Sequence, residues 1–295
     1  DSSKKIDWNE RCAGCHTTGY DRKTRTYVEP SIACEQCHGP GKKHAETTKR
    51  DDIVNPASAP QALRIYVCAQ CHSRGQSVVD ALPYPSGFVP GSDLSKIFTF
   101  DKPVPGKATE LFWDNGAAKQ HHSQFNEFRE SKLFDSDIAC FDCHLVHRFR
   151  NVITPSEKTR LMALTERYMI QKRTQFVCLR CHEPGLLGYQ SFVTSKDGKV
   201  VDQHTRHPPA VNMSMLPAEA GRGGLTRGLL CADCHMPLME RSNSGYITHS
   251  HRLLLDTPDT VSGTRAPNAC LQCHADKDRS WVVKTLKDWQ KNRPE

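Results

Sequence analysis

The 295-residue sequence predicts a chain built mainly of loops and short α-helices around a packed file of bound groups, with little or no β-sheet. Three observations predict it. Hydrophobic residues make up only 37% and the mean hydropathy is −0.61, low for a chain of this length that folds around side chains alone. Fourteen cysteines fall into pairs of one spacing, spread along the whole chain. Eighteen prolines and 18 glycines punctuate the segments between them, which favours turns over long regular elements.

The pairs are Cys12/Cys15, Cys34/Cys37, Cys68/Cys71, Cys140/Cys143, Cys178/Cys181, Cys231/Cys234 and Cys270/Cys273. Each is followed at once by a histidine: His16, His38, His72, His144, His182, His235 and His274. Two thiols three positions apart on a helical turn point the same way and can form thioethers to the two vinyl groups of one porphyrin. The adjacent imidazole then reaches the iron as proximal ligand. One motif anchors and ligates one haem, and the expected complement is seven covalently bound haem c. Disulfides would suit an oxidising compartment but give no reason for the seven histidines. Structural zinc needs four ligands per metal, and seven pairs divide badly. A thioredoxin-like motif occurs once, not seven times.

At about 42 residues per haem, the haems share one core instead of occupying separate domains. Flat porphyrin faces supply the apolar surface that side chains lack, so the expected fold is a packed haem chain wrapped by loops and short helices, and it fails to form without haem. The widest gap between motifs holds Pro83, Pro85, Pro90, Pro103 and Pro105 with Gly87, Gly91 and Gly106. It separates a three-haem N-terminal part, 1–80, from a four-haem C-terminal part, 136–295, through a connecting region, 81–135, within one continuous core. A second loop-like insert, Pro208 to Gly228, precedes the sixth motif. Thr154-Pro155-Ser156-Glu157 carries a cap, a proline at the first helical position and an acid, which predicts a helix from Pro155 to about Arg173 packed through Leu161, Leu164 and Tyr168. Another runs from about Asp278 towards Asn292 with Val282, Leu286 and Trp289 as its buried stripe.

The formal charge of +7 suggests nucleic acid or an acidic membrane at first sight. Seven haems, however, bring about 14 propionates, so the basic excess reads as Lys and Arg pairing with them, and nucleic acid is not an expected partner. No apolar run is long enough to span a bilayer, and Asp1 to Lys5 carry no signal-peptide pattern. Thioether attachment and dense cysteine usage place the chain outside the cytoplasm, in the periplasm or secreted to the cell exterior.

The far side of each iron decides between wire and enzyme, because a haem with histidine on both faces exchanges electrons while an open face can bind substrate. Eight histidines remain for seven distal positions: His44, His121, His122, His147, His204, His207, His249 and His251. His44 and His147 follow their own motifs closely and can reach a neighbouring haem. Adjacent His121 and His122 can grip two haems from one turn. Met236, beside the sixth motif histidine, is an alternative axial ligand.

Cys34-Glu35-Gln36-Cys37-His38-Gly39-Pro40-Gly41 with His44, Cys140-Phe141-Asp142-Cys143-His144 with His147, Cys231-Ala232-Asp233-Cys234-His235-Met236-Pro237, and Pro267-Asn268-Ala269-Cys270 through His274-Ala275-Asp276-Lys277 resemble bacterial multihaem cytochromes c. That group is related to the pentahaem nitrite reductases, the octahaem hydroxylamine oxidoreductases and the tetrahaem electron carriers of ammonia oxidisers. The resemblance implies electron transfer and distal roles for His44, His147, His249 and one or both of His204 and His207. The sequence has no motif with lysine in place of histidine, as the nitrite reductases often have, and no recognisable tyrosine crosslink. Similar members commonly carry another haem motif upstream and helical repeats downstream, and neither is in this sequence; where an upstream part supplies a distal histidine, one haem here would be five-coordinate or completed by another subunit. The expected function is therefore electron conduction between other cytochromes or redox proteins, including the form of a homopolymeric filament, with no catalytic residues. The alternative is a reductase or oxidase of a small nitrogen or sulfur compound at one open haem.

Overall fold

The computed structural model describes residues 6–144, 146–147, 178–182, 192–195, 197–208, 231–241 and 246–291. The helix expected from Pro155 lies outside these residues, as does most of the insert 208–228.

Regular elements are short. Helices α1 (Trp8–Arg11), α2 (Ala13–His16), α3 (Cys34–His38), α4 (Lys42–Thr47), α5 (Gln61–Ala69), α6 (Gln124–Phe128), α7 (Cys140–Cys143), α8 (Cys231–His235), α9 (Pro258–Ser262) and α10 (Arg279–Lys291) are joined by turns and 3₁₀ segments. Strands β1 (Gly75–Ser77) and β2 (Phe98–Phe100), β3 (Phe192–Thr194) and β4 (Val200–Asp202), and β5 (Leu238–Arg241) and β6 (Tyr246–His249) form three separate two-stranded pairs. β1 and β2 are antiparallel with Gln76 opposite Thr99. The expected fold class, loops and short helices with little sheet, is what the described residues adopt.

The chain divides into two compact units. The first comprises Asp1–His144, Glu240–Tyr246 and His251–Leu253; the second comprises Leu145–Met239, Ile247–Ser250 and Leu254–Glu295. The fourth motif thus lies in the same unit as the first three. The reason is local packing. Gln61 of α5 donates to the carbonyls of Phe134 and Ile138 at 2.7 and 2.9 Å, which draws the segment before Cys140 onto the third motif's helix.

Each unit has a small side-chain core. In the first, Ile65, Ala69, Leu94, Phe98, Phe125 and Ala139 are buried together, flanked by Tyr66, Phe100, Phe128 and Phe134. Gly75 lies so close to β2 that a Cβ would stand 2.2 Å from the Thr99 carbonyl, so a side chain there would part the strands. In the second, Val282 and Leu286 of α10 pack on Val261 of α9, with Trp281 and Trp289 beside them. The stripe expected for the C-terminal helix is thus the buried one. Asp278 caps it by accepting from the Trp281 N–H at 2.8 Å, and α9 begins with Thr257 accepting from the Thr260 N–H, followed by Pro258.

Candidate functional site

The motif cysteines lie on single helical turns, as their spacing requires. The histidine N–H donates to the carbonyl of the first cysteine, His16 to Cys12 at 3.1 Å, His72 to Cys68 at 2.9 Å, His144 to Cys140 at 2.9 Å, His182 to Cys178 at 3.0 Å and His274 to Cys270 at 2.9 Å, and the second and sixth motifs lie within the helices Cys34–His38 and Cys231–His235. The turn brings both thiols and the imidazole to one side of the backbone.

Motifs far apart in sequence meet through their thiols. Cys15 hydrogen-bonds Cys71, Cys68 hydrogen-bonds Cys140, and Cys178 hydrogen-bonds Cys231. These contacts and burial push the Cys68, Cys71 and Cys178 thiols up, while the same bonds lower Cys15, Cys140 and Cys231. Cys234 is pushed up to about 12 by burial and then by the charge of Cys270. The first, third and fourth motifs therefore neighbour one another in one unit, and the fifth, sixth and seventh in the other.

The side chains of Cys34, Cys143, Cys181 and Cys273 are exposed, while the other ten motif cysteines are half-buried. The backbone at Cys181 still has the shape of the motif, its N–H donating to the Cys178 carbonyl at 3.1 Å. The difference lies in packing. Cys178 is drawn against Cys231 of the sixth motif, and Cys181, one turn further along, is left at the surface of the polypeptide. A thioether joins the rim of a porphyrin and not its faces, so an anchor of this kind needs a correctly aimed thiol and not an enclosed one.

The residues inside the motifs, which the sequence left without a role, do part of the work of joining them. Gly14, between Cys12 and Cys15, lies under the ring of Tyr84, where a Cβ would stand 2.4 Å from the ring carbons. Gln36 of the second motif donates to the Tyr84 hydroxyl at 3.1 Å and to Oε1 of Gln70, in the third motif, at 2.9 Å; Gln70 returns a bond to the Gln36 carbonyl at 2.9 Å. The first and second motifs thus meet at one tyrosine, and the third joins them through Gln36. Burial pushes the Tyr84 hydroxyl pKa well up, so it stays a neutral donor and acceptor. In the seventh motif Gln272 donates to the Leu238 carbonyl at 2.7 Å.

The imidazoles form pairs. His144 faces His251 with ring centres 6.0 Å apart and planes 26° from parallel; His204 faces His235 at 6.2 Å and 20°; His207 faces His274 at 6.1 Å and 27°. His72 and His122 are 6.2 Å apart with planes crossed at 70°. A metal–nitrogen bond of about 2.0–2.1 Å on each side, plus ~1.1 Å from ring nitrogen to ring centre, puts trans imidazole centres roughly 6.2–6.4 Å apart. Each of the four pairs joins one motif histidine to one of the eight others at the separation of two axial ligands with an iron between them. The donor set and spacing fit haem iron.

Local bonds set which ring nitrogen is presented. The Nδ1–H of His38 donates to the Val54 carbonyl at 2.7 Å, that of His44 to Lys49 at 2.8 Å, that of His207 to Thr205 at 2.7 Å and that of His249 to Met236 at 2.5 Å. A backbone acceptor on Nδ1 fixes the tautomer that leaves Nε2 as the ligand atom. Asp202 builds the turn that carries two of the pairs, its Oδ1 accepting from the N–H groups of His204 at 3.0 Å and Thr205 at 2.7 Å while its own N–H donates to the His207 carbonyl at 2.7 Å. Non-glycine residues with left-handed backbone accompany these histidines: His122 itself (φ 59°), Arg206 (φ 58°), Leu253 (φ 50°) and Thr48 (φ 57°). Such backbone persists where surroundings over-determine it, and here it marks the turns that aim imidazoles.

The remaining candidates are placed as follows. His121 lies 4.5 Å from His122, ring centre to ring centre, and Arg74 reaches its carbonyl at 2.8 Å and its ring nitrogens at 3.2 and 3.3 Å. His147 is exposed just beyond the fourth motif. Met236 offers its carbonyl to His249, a role the sequence did not suggest. Trp8 lies 5.8 Å from His16, and Trp281 lies 4.9 Å from His274. Large apolar side chains left exposed by the polypeptide cluster near motifs: Ile6 and Trp8, Val28 and Ile32, Val78 and Val79, and Val146. Apolar surface of this kind marks a place where something else packs.

Fold and motifs together define a class, the multihaem c-type cytochromes. Within it, residues 6–81, which hold the first three motifs, match the family model described as cytochrome c3. The outer cell wall cytochrome OcwA is a solved structure with the same fold, at a TM-score of 0.59 and 22% identity over 97% of this chain and 64% of that one. The chain thus spans less than two thirds of that protein's length. No curated protein matches in sequence. Among the described residues no helix is long and apolar enough to cross a membrane.

Proposed function

We propose that the chain holds seven haems, one per Cys-Xaa-Xaa-Cys-His motif, and conducts electrons through them between redox partners. Four imidazole pairs at 6.0–6.2 Å carry this reading, because histidine on both faces leaves no position for a substrate. When bound, haem iron takes up and releases single electrons without forming bonds to a substrate. The polypeptide's part is to hold and order the irons. In the first unit the thiol contacts Cys15–Cys71 and Cys68–Cys140 give the neighbour sequence first, third, fourth motif, with the second tied to the third through Gln36 and Gln70. In the second unit Cys178–Cys231 and the proximity of Cys234 to Cys270 give fifth, sixth, seventh. Exposed Cys181 and Cys273 then put one rim of the fifth and of the seventh haem at the surface of the polypeptide, where a redox partner can approach.

In this proposal His122, His251, His204 and His207 are the distal ligands of the third, fourth, sixth and seventh haems. His44, His121, His147 and His249 supply the first, second and fifth, with one to spare. The tautomers of His44 and His249 support their share. The partners are other cytochromes or redox proteins, and the setting is the periplasm or cell exterior; the name of the cell-wall relative supports the latter.

Carbon monoxide and nitrite titrations of the reduced protein, with film voltammetry, test the conduit. The expected result is reversible waves, no catalytic current and no ligand-induced spectral change. A nitrite-dependent catalytic current would instead establish the reductase reading. Electron micrographs of fibres at high protein concentration would extend the conduit to a homopolymer.

A further inference from the structure

Helix α6 is short, yet it meets three segments that carry axial histidines or lead away from them. The Phe125 N–H donates to the carbonyl of His72 at 2.9 Å. Asn126 holds the chain just past that histidine, accepting from the Arg74 N–H at 2.7 Å and donating to the Arg74 and Asp101 carbonyls at 2.8 and 2.9 Å. Glu127 is 0% exposed. Its Oε1 accepts from the Ala118 N–H at 2.9 Å and its Oε2 from the His251 N–H at 2.9 Å.

A carboxylate removed from water this completely persists only where its oxygens find donors, and bonds to a charged acceptor are roughly twice as strong as neutral ones. Glu127 therefore pins the backbone of a residue 124 positions away in sequence. That residue bears the ring facing His144 at 6.0 Å. Two residues on, Leu253 has φ 50°, a backbone state costly for a branched side chain, so local preference does not hold this turn in shape. Glu127 supplies an anchor from outside the segment.

We infer that Glu127 is a positioning residue for His251, holding the distal imidazole of the fourth haem at ligating distance; the inference rests on the axial pairing proposed above. Glu127 does not itself reach iron. Its oxygens are turned to backbone N–H groups, and it acts on the haem through His251.

Carbon monoxide adds to reduced haem that has an open face. The haem-loaded protein is therefore compared as wild type, His251→Ala and Glu127→Gln, by carbon monoxide bound per chain and by the low-spin electron paramagnetic resonance components of the oxidised form. The glutamine keeps the shape, but its amide points a donor at one of the two backbone N–H groups. His251→Ala should take about one carbon monoxide per chain beyond wild type. Glu127→Gln should open that same haem and alter the same low-spin component. If His251→Ala gains none, the axial assignment fails and the inference with it. If His251→Ala gains one and Glu127→Gln behaves as wild type, the positioning role alone is overturned; it is equally overturned if Glu127→Gln opens several haems, which is general loosening. Should the glutamine variant not accumulate, Glu127→Asp keeps the charge and shortens the reach. A partial opening of the same haem then supports the role, and wild-type behaviour contradicts it.

Discussion

Replacing Asn126 by alanine tests how the third motif's exit is fixed. The side chain is 2% exposed and makes three bonds, to the Arg74 N–H and to the Arg74 and Asp101 carbonyls. The Arg74 carbonyl keeps a partner, because the Asp101 N–H also donates to it at 3.0 Å. Two backbone groups lose theirs, the Arg74 N–H and the Asp101 carbonyl. An orphaned buried polar group costs about 1–3 kcal/mol, and partial access to water keeps the pair near the lower half of the sum, about 3 kcal/mol. Over a guanidinium slope of about 3–6 kcal/mol/M this lowers the unfolding midpoint by roughly 0.5–1 M with the slope unchanged. Far-ultraviolet circular dichroism and the haem spectrum of the loaded protein should report the same shift. Asn126→Asp keeps the acceptor for Arg74 but turns a donor into an acceptor facing two carbonyls, so it should be at least as damaging. A shift under about 0.2 M for alanine, or a fully stable aspartate variant, would refute the reasoning.

Three further outcomes are expected. Gly14→Ala drives a methyl group into the Tyr84 ring, where the ideal Cβ would be 2.4 Å away, and should cost about 1–3 kcal/mol in the same unfolding assay and disturb the Gln36 and Gln70 bonds. Burial, then the charges of His121 and Arg74, hold His122 down to about 4 from its ordinary value of 6.5. Between those values the unfolded chain takes up a proton that the folded state refuses, so stability present above about 6.5 is lost as pH falls towards 4; an acid titration of the low-spin bands and of circular dichroism should show losses in that window. Finally, the planes of His72 and His122 cross at 70° while the other three pairs lie within 27° of parallel. The third haem should give a more anisotropic low-spin resonance than those three, and His122→Ala should remove it.

The seven motifs were legible in the sequence because two cysteines and a histidine at this spacing within one helical turn form a purely local pattern. How deeply each anchor sits was not legible, since the exposure of Cys181 beside half-buried Cys178 follows from which thiol meets the sixth motif. The C-terminal helix was legible for the same local reason, since Asp278, Val282, Leu286 and Trp289 repeat at helical spacing. The eight distal candidates could be enumerated but not paired. Glu127 on α6 accepts from the backbone of His251, which faces His144, and the Asp202 turn carries His204 and His207, which face His235 and His274. Neither Glu127 nor Asp202 carries a spacing signal, because each acts on backbone N–H groups that every residue possesses. The meeting of Gly14 and Gln36 on Tyr84, with Gln70 joined through Gln36, was hidden in the same way: residues inside the motifs look like spacers until the motifs are brought together. Grouping of the fourth motif with the first three also depended on nonlocal contacts, those of Gln61 with Phe134 and Ile138.

Near-infrared magnetic circular dichroism of the oxidised, haem-loaded protein, normalised to polypeptide, distinguishes bis-histidine haems from histidine–methionine and high-spin ones. Seven bis-histidine haems per chain is the predicted result. Fewer haems than motifs, a histidine–methionine band, or a high-spin fraction equal to a whole haem would contradict the account.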